Sequence, residues 1–423
     1  MASYATPITM TGDTGASPVA SVAAGRGRID SVDLLRGLIM VIMLLDHTRD
    51  FVHATGLQQD PTNMATTHPA LFFTRWVTHF CAPIFVFLAG TSAYFLETRG
   101  KSKRDLSRFL LTRGLWLIVL EFTVVRIFAF WTVDYQNLLG IPQVIWAIGW
   151  SMIVLAGLIH LPLRAVAIFG IGMIVLHNLA DPLRVPGFRG PGSPLPGFLG
   201  SLWMILHQGG ILFPFGFPGP GLFVLYPLIP WIGVMAAGYA FGSLYKMEAA
   251  DRQRLLVRMG LAMIATFIVL RAFNVWDPRP WAVQKSALLT VCSFLNVEKY
   301  PPSLLFILMT LGPGMLFLAR FDGVRVSRIA SFFITFGRVP LFFYLLQWLT
   351  AHGFGVALGM IADRPVDHLF QSPGPGQIVS PDSGFNLGVV YAAWIAGTLL
   401  LYPLCRWFAG VKARRRDWWL SYI

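Results

Sequence analysis

The chain has 423 residues, 55% of them hydrophobic and only 13% charged, with a mean hydropathy of +0.63. That balance excludes an ordinary soluble protein and asks for a lipid bilayer as the surrounding medium. The net charge of +13 would suit nucleic acid, but the basic residues are interleaved with long apolar runs rather than gathered on a polar domain, so no nucleic-acid partner is expected.

Residues 1–27 are small and polar and contain no apolar run followed by a cleavage site, so they read as a disordered tail rather than a secretory signal. Beyond them, runs of about 20 apolar residues, the length that spans a bilayer, predict ten transmembrane helices. They fall at 32–52, 70–96, 106–131, 141–161, 164–180, 222–245, 255–273, 303–320, 328–352 and 385–408. The stretch 197–217 is apolar but broken by Gly and Pro, and reads as a re-entrant or interfacial segment. Most of the 33 Lys and Arg fall in short connections on one side, such as "ETRGKSKRDLSR" and "RFDGVRVSR", which puts both termini in the cytoplasm. The expected class is therefore an all-α polytopic membrane protein with one transmembrane domain over 28–410 and a basic cytoplasmic tail over 411–423. Cys81, Cys292 and Cys405 are far apart with no CxxC spacing, so neither a disulfide framework nor a metal site is expected.

Ionisable residues inside spans are costly, by roughly 2.5–3.5 kcal/mol each at a helix centre, and so mark candidate chemistry. The first span is the densest. Arg36 and His47 in "RGLIMVIMLLDH" are eleven residues apart, about 16 Å of helical rise and about 20° past three full turns. One face thus carries a cation near one membrane surface and an imidazole about half a membrane away. Asp33 and Asp50 stand three residues outside Arg36 and His47, in side-chain reach on a helix, whereas Asp46 points about 100° from His47. The simpler alternative makes Arg36 a helix-end anchor and His47 an interfacial residue reaching water.

In the second span Arg75 and His79 are one turn apart, and His79 could lie at the depth of His47. The small residues Ala82, Ala89, Gly90, Ser92 and Ala93 that follow suit close helix packing. Glu121 in the third span needs a partner and is expected to be structural; Arg126 is poorly spaced, which leaves Arg75 or His79. Pro227 and Pro230 are expected to kink the sixth span. Arg338 opens the ninth span, and with Arg36 and Arg113 would form a mouth of fixed cations suited to phosphate, though helix-end anchoring explains Arg113 equally well. Of the remaining histidines, His68 and His207 could border an outer cavity.

"RIDSVDLLRGLIMVIMLLDH" resembles the first helix of the membrane-embedded acyltransferases, with an arginine, ten residues and a histidine at Arg36 and His47. "RWVTHFCAPIFVFLAGTS", "YPLIPWIGVMAAGYAFG", "KYPPSLLFILMTLGPG" and "FGRVPLFFYLLQW" are similar to bacterial relatives of heparan-α-glucosaminide N-acetyltransferase. The resemblance implies transfer of an acetyl group from cytoplasmic acetyl-CoA to an amino or hydroxyl group of a sugar or glycan on the other side of a bacterial inner membrane. It also implies that His47 is the catalyst and that Arg36 is essential. In the animal enzyme the catalytic histidine is placed closer to His68, and a polar amide stands where this chain has Asp46, so His47, His68 and His79 all remain candidates. Asp50 would select the tautomer of the base. The sequence is compatible with a monomer or a homodimer. A proton-coupled secondary transporter of a small solute is the alternative reading, since it too carries ionisable groups in spans.

Overall fold

The computed structural model describes residues 29–423 apart from 57, 372–378, 381 and 416. The expected tail over 1–27 lies outside the described residues.

Helix α1 (Asp30–Val52) carries Asp30 and Asp33 in its first turn, where carboxylates favour the positive helix end. It is followed by α2 (Pro69–Thr98), α3 (Lys103–Leu120), a π turn (Glu121–Val125) leading into α4 (Arg126–Phe130), α5 (Val144–Leu158), α6 (Leu163–Ala180) and the short α7 (Phe198–Trp203). Then come α8 (Leu228–Lys246), α9 (Ala249–Ala272), α10 (Ala287–Leu295), α11 (Leu304–Phe321), α12 (Arg328–Gly337), α13 (Pro340–Ile361) and α14 (Leu387–Arg414). Seven of these, α2, α6, α8, α9, α11, α13 and α14, are long and apolar enough to cross a membrane. Aliphatic side chains such as Ile168, Ile171, Leu261, Val269, Leu399 and Leu400 stand exposed on α6, α9 and α14, the arrangement of a lipid-facing belt. The protein is a polytopic membrane protein built almost wholly of helices.

Helix α1 has the length to span but carries Asp33, Arg36, Asp46, Arg49 and Asp50. It lies inside the bundle against α2, α12, α13 and α14, which keeps those groups from lipid. Its approach to α12 is closest at Gly37 and Gly337, where a Cβ on either residue would overlap a backbone carbonyl of the other helix. Two expected boundaries differ. Residues 328–352 form two helices rather than one, because Val339 precedes Pro340 and is pushed out of the helical region (φ −132°, ψ 52°) while Pro340 opens α13. Pro227 is the N-terminal cap of α8 and Pro230 lies in its first turn, so both start the helix instead of kinking it, and 221–224 is a strand. Residues 197–217 make no spanning helix. They form α7, a π turn (Met204–Gln208) and β2 (Gly210–Leu212), which pairs antiparallel with β3 (Gly221–Val224); β3 pairs in parallel with β1 (Leu138–Gly140).

Candidate active site between two joined cavities

Two cavities follow one face of α1. The first, about 440 Å³, is lined by Arg36, Arg99, Arg113, Arg338 and Lys412, with Phe85, Leu117 and Met152 among its apolar walls. The second, about 560 Å³, is lined by Asp46, His47, Arg49, Asp50, Arg75, His79, Lys299, Tyr300 and Trp348. Met43, Val144 and Tyr344 line both, so the two cavities share this collar of side chains. One helix thus delivers Arg36 to one cavity and His47 to the other, the separation of about 16 Å that its rise requires.

Arg36 is fixed from three sides. It donates to Asp33 Oδ1 at 3.0 Å, to the Gly337 carbonyl at 3.2 Å and to Ser92 Oγ at 2.7 Å, which ties α1, α12 and α2 together. Arg113 donates to the Ser421 carbonyl, and Arg338 stands half-exposed at the break between α12 and α13, 3.9 Å from Asp30. The three arginines expected to share a mouth therefore line a single cavity.

In the second cavity His47 is buried and packs its ring on Trp348 at 3.7 Å between centroids. Asp50 Oδ2 lies 3.6 Å from its Nδ1, an ion-pair approach just outside hydrogen-bond range, and the other Asp50 oxygen accepts from Arg49 at 2.5 Å. Asp46, turned away from His47 as its position on the helix demands, accepts from Arg49 at 3.1 Å and from Arg75. Arg75 also reaches Thr78 Oγ1 and the Tyr300 hydroxyl, each at 3.4 Å. His79 sits in a 3₁₀ turn (Val77–Phe80) that precedes Pro83, a residue with no N–H for the His79 carbonyl. Its Nδ1 is buried and has no partner among the described residues. Burial pushes the Tyr300 phenol up, but Lys299 and Arg75 outweigh that and hold it below the ordinary value.

His68 is placed elsewhere. It caps the N-terminus of α2, accepting from the Leu71 amide at 3.4 Å, is exposed, and lines neither cavity. Glu121 is buried as expected, but its partner is neither Arg75 nor His79. Its carboxylate accepts from the Trp146 amide at 3.0 Å and so caps α5, whose first amides have no partner within their own helix. Arg49, Lys299, Tyr300, Tyr344 and Trp348 were missed by the sequence reading. Arg49 was findable from its spacing of three from Asp46 and its adjacency to Asp50. The others lie far along the chain and carry no local signal.

The profile described as "Heparan-alpha-glucosaminide N-acetyltransferase, catalytic" matches residues 28–275, more than half of the chain. The chain belongs to this family. It is a family of membrane acetyltransferases, and the matched segment holds α1 to α9, with Arg36, His47, Asp50, Arg75, His79, Arg113 and Glu121. No curated protein matches the chain. Lys299, Tyr300, Arg338, Tyr344 and Trp348 reach the two cavities from beyond the matched segment.

Proposed function

We propose that this chain transfers an acetyl group from acetyl-CoA to an amino or hydroxyl group of a sugar or glycan, with residues 28–410 as one catalytic domain of a bacterial inner-membrane protein. The observation that carries this reading is the shared collar of Met43, Val144 and Tyr344 between a cation-lined cavity and one containing a buried histidine. Both termini are on the cytoplasmic side in this reading, following the positive-inside pattern, and acetyl-CoA enters there. Its phosphates meet Arg36, Arg113 and Arg338, and its pantetheine arm passes the collar, which places the thioester in the second cavity. The acceptor enters from the opposite face.

His47 then takes the proton from the acceptor N–H or O–H as that atom attacks the thioester carbonyl. The C–S bond breaks and the CoA thiolate leaves, taking the proton that His47 holds and returning the imidazole to its neutral form. Such general-base catalysis contributes about 10²–10⁴ in rate. Asp50, 3.6 Å from Nδ1, selects the tautomer that leaves Nε2 free once it closes to hydrogen-bond distance, and Lys299 and Arg75 supply positive charge for the carbonyl oxygen. His79 lines the same cavity and is the competing base.

The test uses purified protein in nanodiscs, labelled acetyl-CoA and a panel of amino sugars and glycans. Label should appear in an acceptor with wild type, and His47→Ala should lose about 10²–10⁴ in kcat while still binding acetyl-CoA. Full activity in His47→Ala with loss in His79→Ala would move the base to His79. Solute uptake into proteoliposomes without acetyl transfer would instead establish the proton-coupled carrier.

A further inference from the structure

Outside both cavities, at the end of α6, lies a cluster that the acetyl-transfer reading does not use. His177 and Asp181 come from the end of α6 and the residue after it, and His207 from the π turn that follows α7. Both histidines are more than nine-tenths buried. His177 Nδ1 is 3.4 Å from His207 Nε2, and His207 Nε2 is 3.6 Å from Asp181 Oδ1; one donor atom from each of the three residues falls within 4.8 Å of the others.

Those separations are long for hydrogen bonds, which for N–H donors centre near 2.9–3.0 Å. The separations of 3.4 and 3.6 Å are close to the edge of a coordination polyhedron, and the third pair, within 4.8 Å, closes toward it when an ion is held. Donors about 2.0–2.1 Å from a tetrahedral ion stand about 3.3–3.4 Å from one another. The surroundings hold the donors in place. Asn178 Nδ2 donates to Asp181 Oδ2 at 2.9 Å, which leaves Oδ1 facing the rings, and Trp203 stacks on His207 at 4.9 Å with the planes 14° apart. Supports of this kind orient ligands in metal sites. π turns are themselves concentrated at functional positions.

We propose that His177, Asp181 and His207 bind a divalent ion of the zinc type, with solvent entering from the partly exposed Asp181 side. In the metal-free chain His207 Nε2 also lies 2.9 Å from the His177 carbonyl and donates its proton there. Binding replaces that hydrogen bond by a metal–nitrogen bond, with the ring taking the Nδ1–H tautomer. The ion fastens the turn at 204–208 to the end of α6 and braces the connection at 181–197 that runs between them. The sequence reading expected no metal, since no local motif brings His207 near His177.

The experiment uses the full chain without a histidine tag, stripped with chelator and titrated with Zn²⁺ by calorimetry, and with Co²⁺ by visible absorption. Wild type should bind one equivalent of Zn²⁺, gain thermal stability, and show the intense ligand-field bands of four-coordinate Co²⁺. His177→Ala, His207→Ala and Asp181→Asn should each weaken binding by at least tenfold, whereas His160→Ala, at an exposed position, should bind as wild type. Asp181→Asn keeps the side-chain size, so it reports on binding even where a histidine variant folds poorly. Equal Zn²⁺ affinity in wild type and Asp181→Asn, or no binding by wild type, overturns the proposal and leaves the cluster as a hydrogen-bonded clasp.

Discussion

Replacing Arg36 by Gln removes the charge from the phosphate end of the proposed site while leaving His47 about 16 Å away untouched. A hydrogen bond to a charged group contributes about 1.5–3 kcal/mol, which corresponds to roughly 10- to 150-fold in affinity. Phosphates do not change charge during acetyl transfer, so the contact is as strong in the ground state as in the transition state. The loss should therefore appear in KM for acetyl-CoA and leave kcat nearly unchanged. Arg36→Lys keeps the charge but cannot span Asp33, Ser92 and the Gly337 carbonyl together, and should fall between wild type and Gln. Asp33→Asn gives the opposite sign. Its carboxylate, 3.0 Å from the guanidinium, competes with an incoming phosphate, so its removal should lower KM for acetyl-CoA by a few fold at low salt. The assay is initial-rate kinetics with both substrates varied, together with calorimetric binding of acetyl-CoA. A rise in acceptor KM, or a fall in kcat at unchanged acetyl-CoA affinity, would refute placement of the phosphates at Arg36.

Three further outcomes follow from the geometry. Gly37→Ala must push α1 and α12 apart at the point where Arg36 meets the Gly337 carbonyl, and should cost about 1–3 kcal/mol from overpacking plus that hydrogen bond; Gly172→Ala on α6 meets nothing within 4 Å and should hold or raise Tm. Equal Tm changes in the two variants would contradict the close α1–α12 contact. Arg75→Met leaves Asp46 with Arg49 alone and breaks the link to Tyr300, which should destabilise the protein by about 3–5 kcal/mol, read as a lower melting temperature; a melting temperature equal to wild type would show that the link carries no stability. His53, just beyond α1, has its pKa held below the ordinary value by burial and then by Arg49 and His68. The unfolded chain therefore takes up this proton first, so stability is full above about pH 6.5 and declines as pH falls toward the lower folded value. His53→Gln should flatten that part of the Tm profile, and an unchanged slope would exclude His53 as its source.

Local sequence determined a great deal of this molecule. Apolar runs of spanning length placed most of the long helices, because a bilayer forces each backbone group to find its partner within its own segment. The periodicity of α1 put Arg36 and His47 on one stripe, since a helix of 3.6 residues per turn leaves no other choice for that spacing. Prolines were legible as breaks, yet whether each one kinks or starts a helix depended on neighbours, as Pro227, Pro230 and Pro340 demonstrate. What only the tertiary structure decided were the pairings across long stretches of chain. Glu121 is satisfied by an amide of α5, Trp348 packs on His47, Lys299 and Tyr300 close the second cavity, and His207 arrives beside His177. Those partnerships arise from burial of polar groups that must be matched wherever the bundle brings donors and acceptors together, and no local pattern encodes which distant residue does the matching.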